Sequence, residues 1–269
     1  MDYVIIGGDE RFAQLAGLLR ARGDRVATAL RQGVPGIREI GAGALGEARA
    51  AVVNCPPKLK GRDAALADVL ALLSADARVF ACGPGHPEPD ARIVDLWADE
   101  ALLSDNARLT AEGAVAAAMR SSGRAIRDMR CMVVGWGRIG RALTEILAGL
   151  GARATVVTRS EANRRRAAER GAEAVLTHQL ARALPGRALV FNTAPSMLLD
   201  AAALRRADRD AMLIDLASPP YGIDLRAAWD MGLRAWREPG LPGRYCPQSA
   251  ARALLRAIER YEAGGEKHD

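Results

Sequence analysis

The chain has 269 residues, of which 49% are apolar and 26% charged, with 27 glycines. This suits one large domain or two of about 100 to 150 residues and excludes a disordered chain, collagen and a coiled coil. The formal charge of +6 comes from 38 basic against 32 acidic residues; the one basic run, Arg164-Arg165-Arg166, reads as a solvated helix face and the aromatics are scattered, so no nucleic-acid partner is expected.

No stretch approaches the roughly 18 consecutive apolar residues of a membrane span, so no membrane association is expected. Met1-Asp2-Tyr3 runs straight into Val4-Ile5-Ile6 without a basic n-region or a cleavage site, which predicts a cytoplasmic chain. Cys55, Cys82, Cys131 and Cys246, with His86, His178 and His268, fall in no C-x-x-C or H-x-x-x-H pattern. Neither a disulfide framework nor a metal site is signalled, and the thiols are expected to be reduced.

In chain order, Val4 to Ile6 reads as a strand and Phe12 to Arg20 as a helix with Phe12, Leu15, Leu18 and Leu19 on one face. Strands follow at Val26 to Leu30 and Ala50 to Val53, the latter stopped by Asn54-Cys55-Pro56-Pro57. Asp63 to Leu73 reads as a helix, and Arg78 to Ala81 as a strand that breaks at Cys82-Gly83-Pro84-Gly85-His86-Pro87. Asn106 to Met119 is a small-residue helix, and Ser121-Ser122-Gly123 marks a boundary.

A second series has strands at Cys131 to Val134, Ala154 to Thr158, Glu173 to Leu176, Ala188 to Phe191, Met212 to Asp215 and near Leu233 to Trp236. After the turn-rich Glu238-Pro239-Gly240-Leu241-Pro242-Gly243, a helix from Gln248 to Tyr261 closes the chain. Strands alternating with helices predict α/β architecture with two open parallel sheets, one of them a Rossmann domain. The expected domains are 104–244, binding the cofactor, and 1–103 completed by the terminal helix within 245–269. The active site is expected in the cleft between them.

The most informative stretch is Gly135-Trp136-Gly137-Arg138-Ile139-Gly140. It follows an apolar strand, opens a helix with Leu143, Ile146, Leu147 and Leu150 inward, and is followed by a second strand. That context turns G-x-G-x-x-G into a dinucleotide fingerprint, with the pyrophosphate on the helix N-terminus. The second strand ends Thr158-Arg159-Ser160, without the carboxylate that would hold the 2′-hydroxyl of NAD. A guanidinium and a hydroxyl there suit the 2′-phosphate of NADP, with NAD the alternative.

Ligands of open parallel sheets sit beyond the carboxyl ends of the strands. Asn192-Thr193-Ala194-Pro195-Ser196 and Asp215-Leu216-Ala217-Ser218 therefore place small polar groups toward the nicotinamide end, with Asn192, Thr193, Ala194, Pro195, Ala217 and Ser218 as candidate contacts. Ordinary turns would look much the same. Thr110-Ala111-Glu112-Gly113 also reads as a helix start, with Thr110 capping and Glu112 complementing the dipole.

These segments, with Gly7-Gly8-Asp9 and Arg11, Asp215 to Ser218 with Gly222 and Asp224, and Pro239-Gly240-Leu241-Pro242-Gly243, in this order closely resemble the family of the dipicolinate synthase A subunit of sporulating bacteria. The likeness is dense from about Asn106 to Leu255 and thin in the first hundred residues. It implies a partner, the flavoprotein-like B subunit of that synthase, and a small dicarboxylate substrate, the cyclic hydroxy-tetrahydrodipicolinate of the lysine pathway, oxidised to pyridine-2,6-dicarboxylate. A homo-oligomer is also expected. Arg11, Arg244 and Thr110 are the candidate substrate contacts, and Glu112, Asp215 and His86 the candidate catalytic bases. Two alternatives stand beside this reading: a nonenzymatic NADP-binding partner, and an NADP-dependent reductase of another small acid.

Overall fold

Short apolar runs bounded by turn residues form parallel strands throughout the computed structural model, which describes residues 1–29, 33–59, 62–83 and 90–265. The strands belong to two compact units, Met1–Asn106 with Pro242–Asp269, and Ala107–Leu241.

In the first unit β1 (Tyr3–Ile6) leads into α1 (Glu10–Arg22), β2 (Val26–Ala29) and β3 (Arg38–Glu39). Next come β4 (Ala50–Asn54), a small antiparallel pair β5 (Lys58–Leu59) and β6 (Arg62–Asp63), α2 (Leu66–Leu72), β7 (Arg78–Cys82) and β8 (Ile93–Asp95). The main sheet has the order β3-β2-β1-β4-β7-β8. The helix expected from Asp63 starts only at Leu66, because Asp63 is taken up by the pair with Lys58. Leu30, at the end of an expected strand, lies outside the described residues.

α3 (Glu100–Ser122) begins earlier than the sequence suggests. Asp99 accepts from the Leu102 N–H at 2.8 Å and so caps it. Thr110 and Glu112 are therefore in the helix interior, and the reading of Thr110 as an N-cap is corrected.

The second unit continues with β9 (Arg130–Val134), α4 (Arg138–Gly149), β10 (Arg153–Thr158), α5 (Glu161–Glu169), β11 (Glu173–Leu176) and α6 (Leu180–Ala183). It ends with β12 (Leu189–Asn192), α7 (Ala201–Leu204), β13 (Met212–Asp215), α8 (Leu225–Asp230) and β14 (Arg234–Arg237). The all-parallel order β11-β10-β9-β12-β13-β14 is that of the doubly wound dinucleotide-binding fold. Val134, Asn192, Asp215 and Arg237 stand in register across four neighbouring strands at the carboxyl edge. Of the inward face expected on α4, Leu143 and Leu147 are fully buried, but Leu150 lies past the helix end and is 44% exposed.

The short helix α9 (Leu241–Tyr245) occupies part of the segment expected to be only turn, and α10 (Pro247–Gly265) closes the chain. Ala251, Leu254, Ala257 and Ile258 of α10 pack with Phe12, Leu15 and Leu19 of α1 on one face of the first sheet. Among the described residues no helix is long and apolar enough to cross a membrane.

Candidate cofactor-binding site

The turn between β9 and α4 is built by three glycines, each for a different reason. Gly135 has φ +109°, and a β-carbon there would meet Thr193 Oγ1 at 2.4 Å. Gly140 packs on the turn so tightly that its β-carbon would lie 2.2 Å from the Gly135 carbonyl oxygen. Gly137 is different: its φ is −80°, which any residue adopts, and a β-carbon would meet no protein atom within 4 Å. Neither backbone conformation nor protein packing requires glycine there, and the open space beside it leaves room for the close approach of a ligand. Gly137 is also the N-cap of α4 and offers no side-chain cap, so the helix presents uncapped N–H groups and the positive end of its dipole. Trp136 and Ile139 are half-buried beside it and Arg138 is exposed.

The corresponding turn of the first unit is closed. The Asp9 carboxylate accepts the Arg11 backbone N–H at 3.1 Å and caps α1, and it takes the Arg11 guanidinium through Nε at 2.8 Å and Nη2 at 2.9 Å. A β-carbon on Gly8 would strike the Phe12 ring at 2.2 Å, and one on Gly243 would lie 2.3 Å from Asp9 Oδ2. Two sheets of like order thus differ at the one place where a phosphate would sit. Arg11, expected to hold a substrate carboxylate, is held by an internal one instead.

At the end of β10, Thr158 is buried and Ser160 caps α5, accepting the Asn163 N–H at 3.2 Å. Arg159 is exposed at this corner with no carboxylate partner among the described residues. In the basic run that follows, Arg164 is paired with Glu161 at 2.9 Å. A free guanidinium and a helix start at the tip of β10 can take an extra phosphate.

The loops after β12 and β13 are clasped by Asp215. This carboxylate is 1% exposed and accepts Asn192 Nδ2 at 2.7 Å and the N–H groups of Ala217, Gly222 and Ile223 at 3.0 to 3.1 Å. Asn192 also bridges Ala194 through both amide atoms, and Thr193 Oγ1 donates to the Val134 carbonyl at 3.0 Å, against Gly135. Gly222 fits between them, since a β-carbon would meet Asn192 Nδ2 at 2.3 Å. Pro195 and Ser218 are exposed at the loop tips and Ala217 is half-buried.

With its oxygens filled by four donors, Asp215 organises two loops and has no vacant lone pair aimed at a reacting proton. Glu112 is exposed on α3, and Gly113 beside it packs on Leu241. Arg244 is exposed on α9, with its guanidinium 5.7 Å from the Tyr245 ring. His86 lies outside the described residues. Gly222 as a packing glycine, and the Arg237 guanidinium that lies over the Tyr221 ring, do not stand out in the sequence. The signal for each is tertiary: the contacting residues lie on different strands and loops.

Residues 101–218 match the family model of the D-isomer specific 2-hydroxyacid dehydrogenase NAD binding domain. A 169-residue stretch, 63% of this chain, is 30% identical to the A subunit of dipicolinate synthase from Bacillus subtilis and spans 57% of that protein's length. The crystal structure of the same subunit from Bacillus halodurans superposes with TM-score 0.82 at 24% identity, over 97% of each chain. That of the Bacillus subtilis protein does so with TM-score 0.81 at 23% identity, over 100% of this chain and 98% of the other. In sequence over 169 residues, and in fold over nearly its whole length, the chain resembles the A subunit of dipicolinate synthase.

Proposed function

We propose that this chain is the NADP-dependent dehydrogenase subunit of a dipicolinate synthase, oxidising cyclic (hydroxy-)tetrahydrodipicolinate to pyridine-2,6-dicarboxylate together with a second subunit. The observation that carries the cofactor part is Gly137: open space, ordinary backbone angles and an uncapped helix start, framed by two glycines that packing does require. The residues present fit a nicotinamide dinucleotide, with the backbone of 135–140 around the pyrophosphate and Arg159 with Ser160 around the 2′-phosphate. The oxidised nicotinamide would supply the hydride acceptor.

Loss of water from the hydroxylated ring gives a dihydro ring; removal of a hydride and a proton from that ring then completes the aromatic pyridine. The chain's own contribution is placement. The loops 193–196 and 216–222, held by Asp215 and Asn192, would fix the nicotinamide end, while cationic side chains hold the two carboxylates. A nonenzymatic NADP-binding partner is favoured by one observation, the saturation of Asp215, which leaves it without a vacant acceptor.

The test mixes the purified chain, alone and with its partner subunit, with the cyclic intermediate and NADP+ or NAD+. Pyridine dicarboxylate is read by its ultraviolet absorbance and reduced cofactor at its own band. The dehydrogenase reading predicts turnover favouring NADP+, and in Arg159→Asp a marked loss of that preference. Tight cofactor binding without turnover in any combination would favour the nonenzymatic partner.

A further inference from the structure

One guanidinium at the carboxyl edge of the cofactor sheet lies over an aromatic ring and has no ion pair among the described residues. Arg237 ends β14, in register with Asp215 on β13 and so in the same row as Asn192 and Val134. Its guanidinium carbon lies 3.8 Å from the centroid of the Tyr221 ring, a face-on stack. Among the described residues no carboxylate lies within ion-pair distance of Arg237. The two acidic side chains nearest along the strands are engaged elsewhere: Glu238 accepts Trp236 Nε1 at 2.6 Å, and Asp215 is filled by its four donors.

The stacking partner is held at some cost. Tyr221 has φ +66° and is the only non-glycine residue with positive φ among the described residues. Such a conformation costs about 1 to 3 kcal/mol and persists only where the surroundings impose it. Here the imposition is visible. The Tyr221 N–H donates to the Ser218 carbonyl at 2.9 Å, and Asp215 grips the next two N–H groups, of Gly222 and Ile223, at 3.0 and 3.1 Å. A loop that only connected β13 to α8 would relax at this residue or carry glycine.

Stacking covers one face of a guanidinium and leaves its N–H fork free in the plane, which is the geometry for taking a carboxylate bidentately. A lysine at the same place could neither stack flat nor present the fork.

Resting on the dehydrogenase reading above, we infer that Arg237, held flat on Tyr221, is a receptor for one carboxylate of the dicarboxylate substrate at the nicotinamide end of the site. Tyr221 is the positioning residue that orients it. This role falls on neither of the arginines suggested by sequence, of which Arg11 is already paired with Asp9.

The test uses the whole chain and pyridine-2,6-dicarboxylate as the probe, titrated calorimetrically in the presence of NADP+, with NADP+ titrated separately. Removal of a charge-assisted bidentate contact predicts that Arg237→Gln weakens the dicarboxylate Kd by about tenfold to a hundredfold, with the NADP+ Kd within about twofold of wild type. Arg237→Lys recovers less than half of the loss in binding free energy. Tyr221→Ala weakens the probe by about five- to tenfold, and Tyr221→Phe, which keeps the ring face, restores most of that affinity.

Dicarboxylate binding unchanged in Arg237→Gln, or no binding of the probe to wild type, would overturn the inference. So would equal loss of probe and NADP+ affinity in Arg237→Gln at unchanged melting temperature. Failure of the wild type to bind NADP+ or NAD+, by contrast, would overturn the dehydrogenase reading itself.

Discussion

The carbonyl oxygen of Gly135 faces the α-carbon of Gly140 so closely that a methyl group there would sit 2.2 Å away. The contact is backbone against backbone, so nothing flexible can give way, and β9 and α4 would have to separate. Gly140→Ala is expected to destabilise the chain by about 1 to 3 kcal/mol, the usual cost of overpacking. Gly137→Ala meets open space and should melt within a few degrees of wild type, yet weaken cofactor binding. Thermal melts and cofactor titrations of the two variants check both halves.

Asp215→Asn should separate loop order from charge. The carboxylate accepts three backbone N–H groups and one amide, two donors on each oxygen, so an asparagine must turn its NH2 toward two of these donors. Hydrogen bonds to a charged acceptor contribute about 1.5 to 3 kcal/mol each, so a loss of about 2 to 4 kcal/mol is expected in chemical denaturation. Faster hydrogen exchange at Gly222 and Ile223 should accompany it.

The terminal helix α10 is tied to the first unit by its apolar face. Ile258 is fully buried against the cluster of Phe12, Leu15 and Leu19. Ile258→Ala is expected to cost about 2 to 5 kcal/mol, read as a lower denaturation midpoint. Proteolysis should then begin near residue 247.

Three thiols are inert while the protein is folded. Burial pushes Cys55 and Cys131 up to about 11, and Cys82 is raised as well, chiefly by burial. At pH 7.5 a maleimide should therefore label at most the half-buried Cys246 quickly, and all four cysteines after unfolding. The folded state holds these protons more tightly than the unfolded chain, so the associated stability is complete below the ordinary thiol value of 9.0 and is lost as pH rises from there toward 11. A denaturation series from pH 8 to 11 should show that decline, reduced when Cys131 is replaced by alanine.

The β9 turn is legible in the sequence because its logic is local: an apolar strand, three glycines at fixed spacing and an amphipathic helix lie consecutively in the chain. The same holds for the longer strands of both sheets, bounded by glycine and proline. Edge strands such as Arg38–Glu39 and Ile93–Asp95 are not legible, being too short to carry a period of two. The start of α3 is not legible, since Glu100 to Asp105 is too short a piece to show a helical period and Thr110 imitates the cap that Asp99 provides. What Asp215 does, and what stacks on Arg237, depends on residues that only the sheet brings together.

The most direct test of cofactor binding at the β9 turn is a calorimetric titration of NADP+ and NAD+ into the wild-type chain and into Gly137→Val and Arg159→Asp. Wild type should bind with NADP+ preferred, Gly137→Val should lose affinity for both cofactors at unchanged melting temperature, and Arg159→Asp should lose NADP+ affinity selectively. Heat from neither cofactor, or undiminished binding to Gly137→Val, would contradict the assignment.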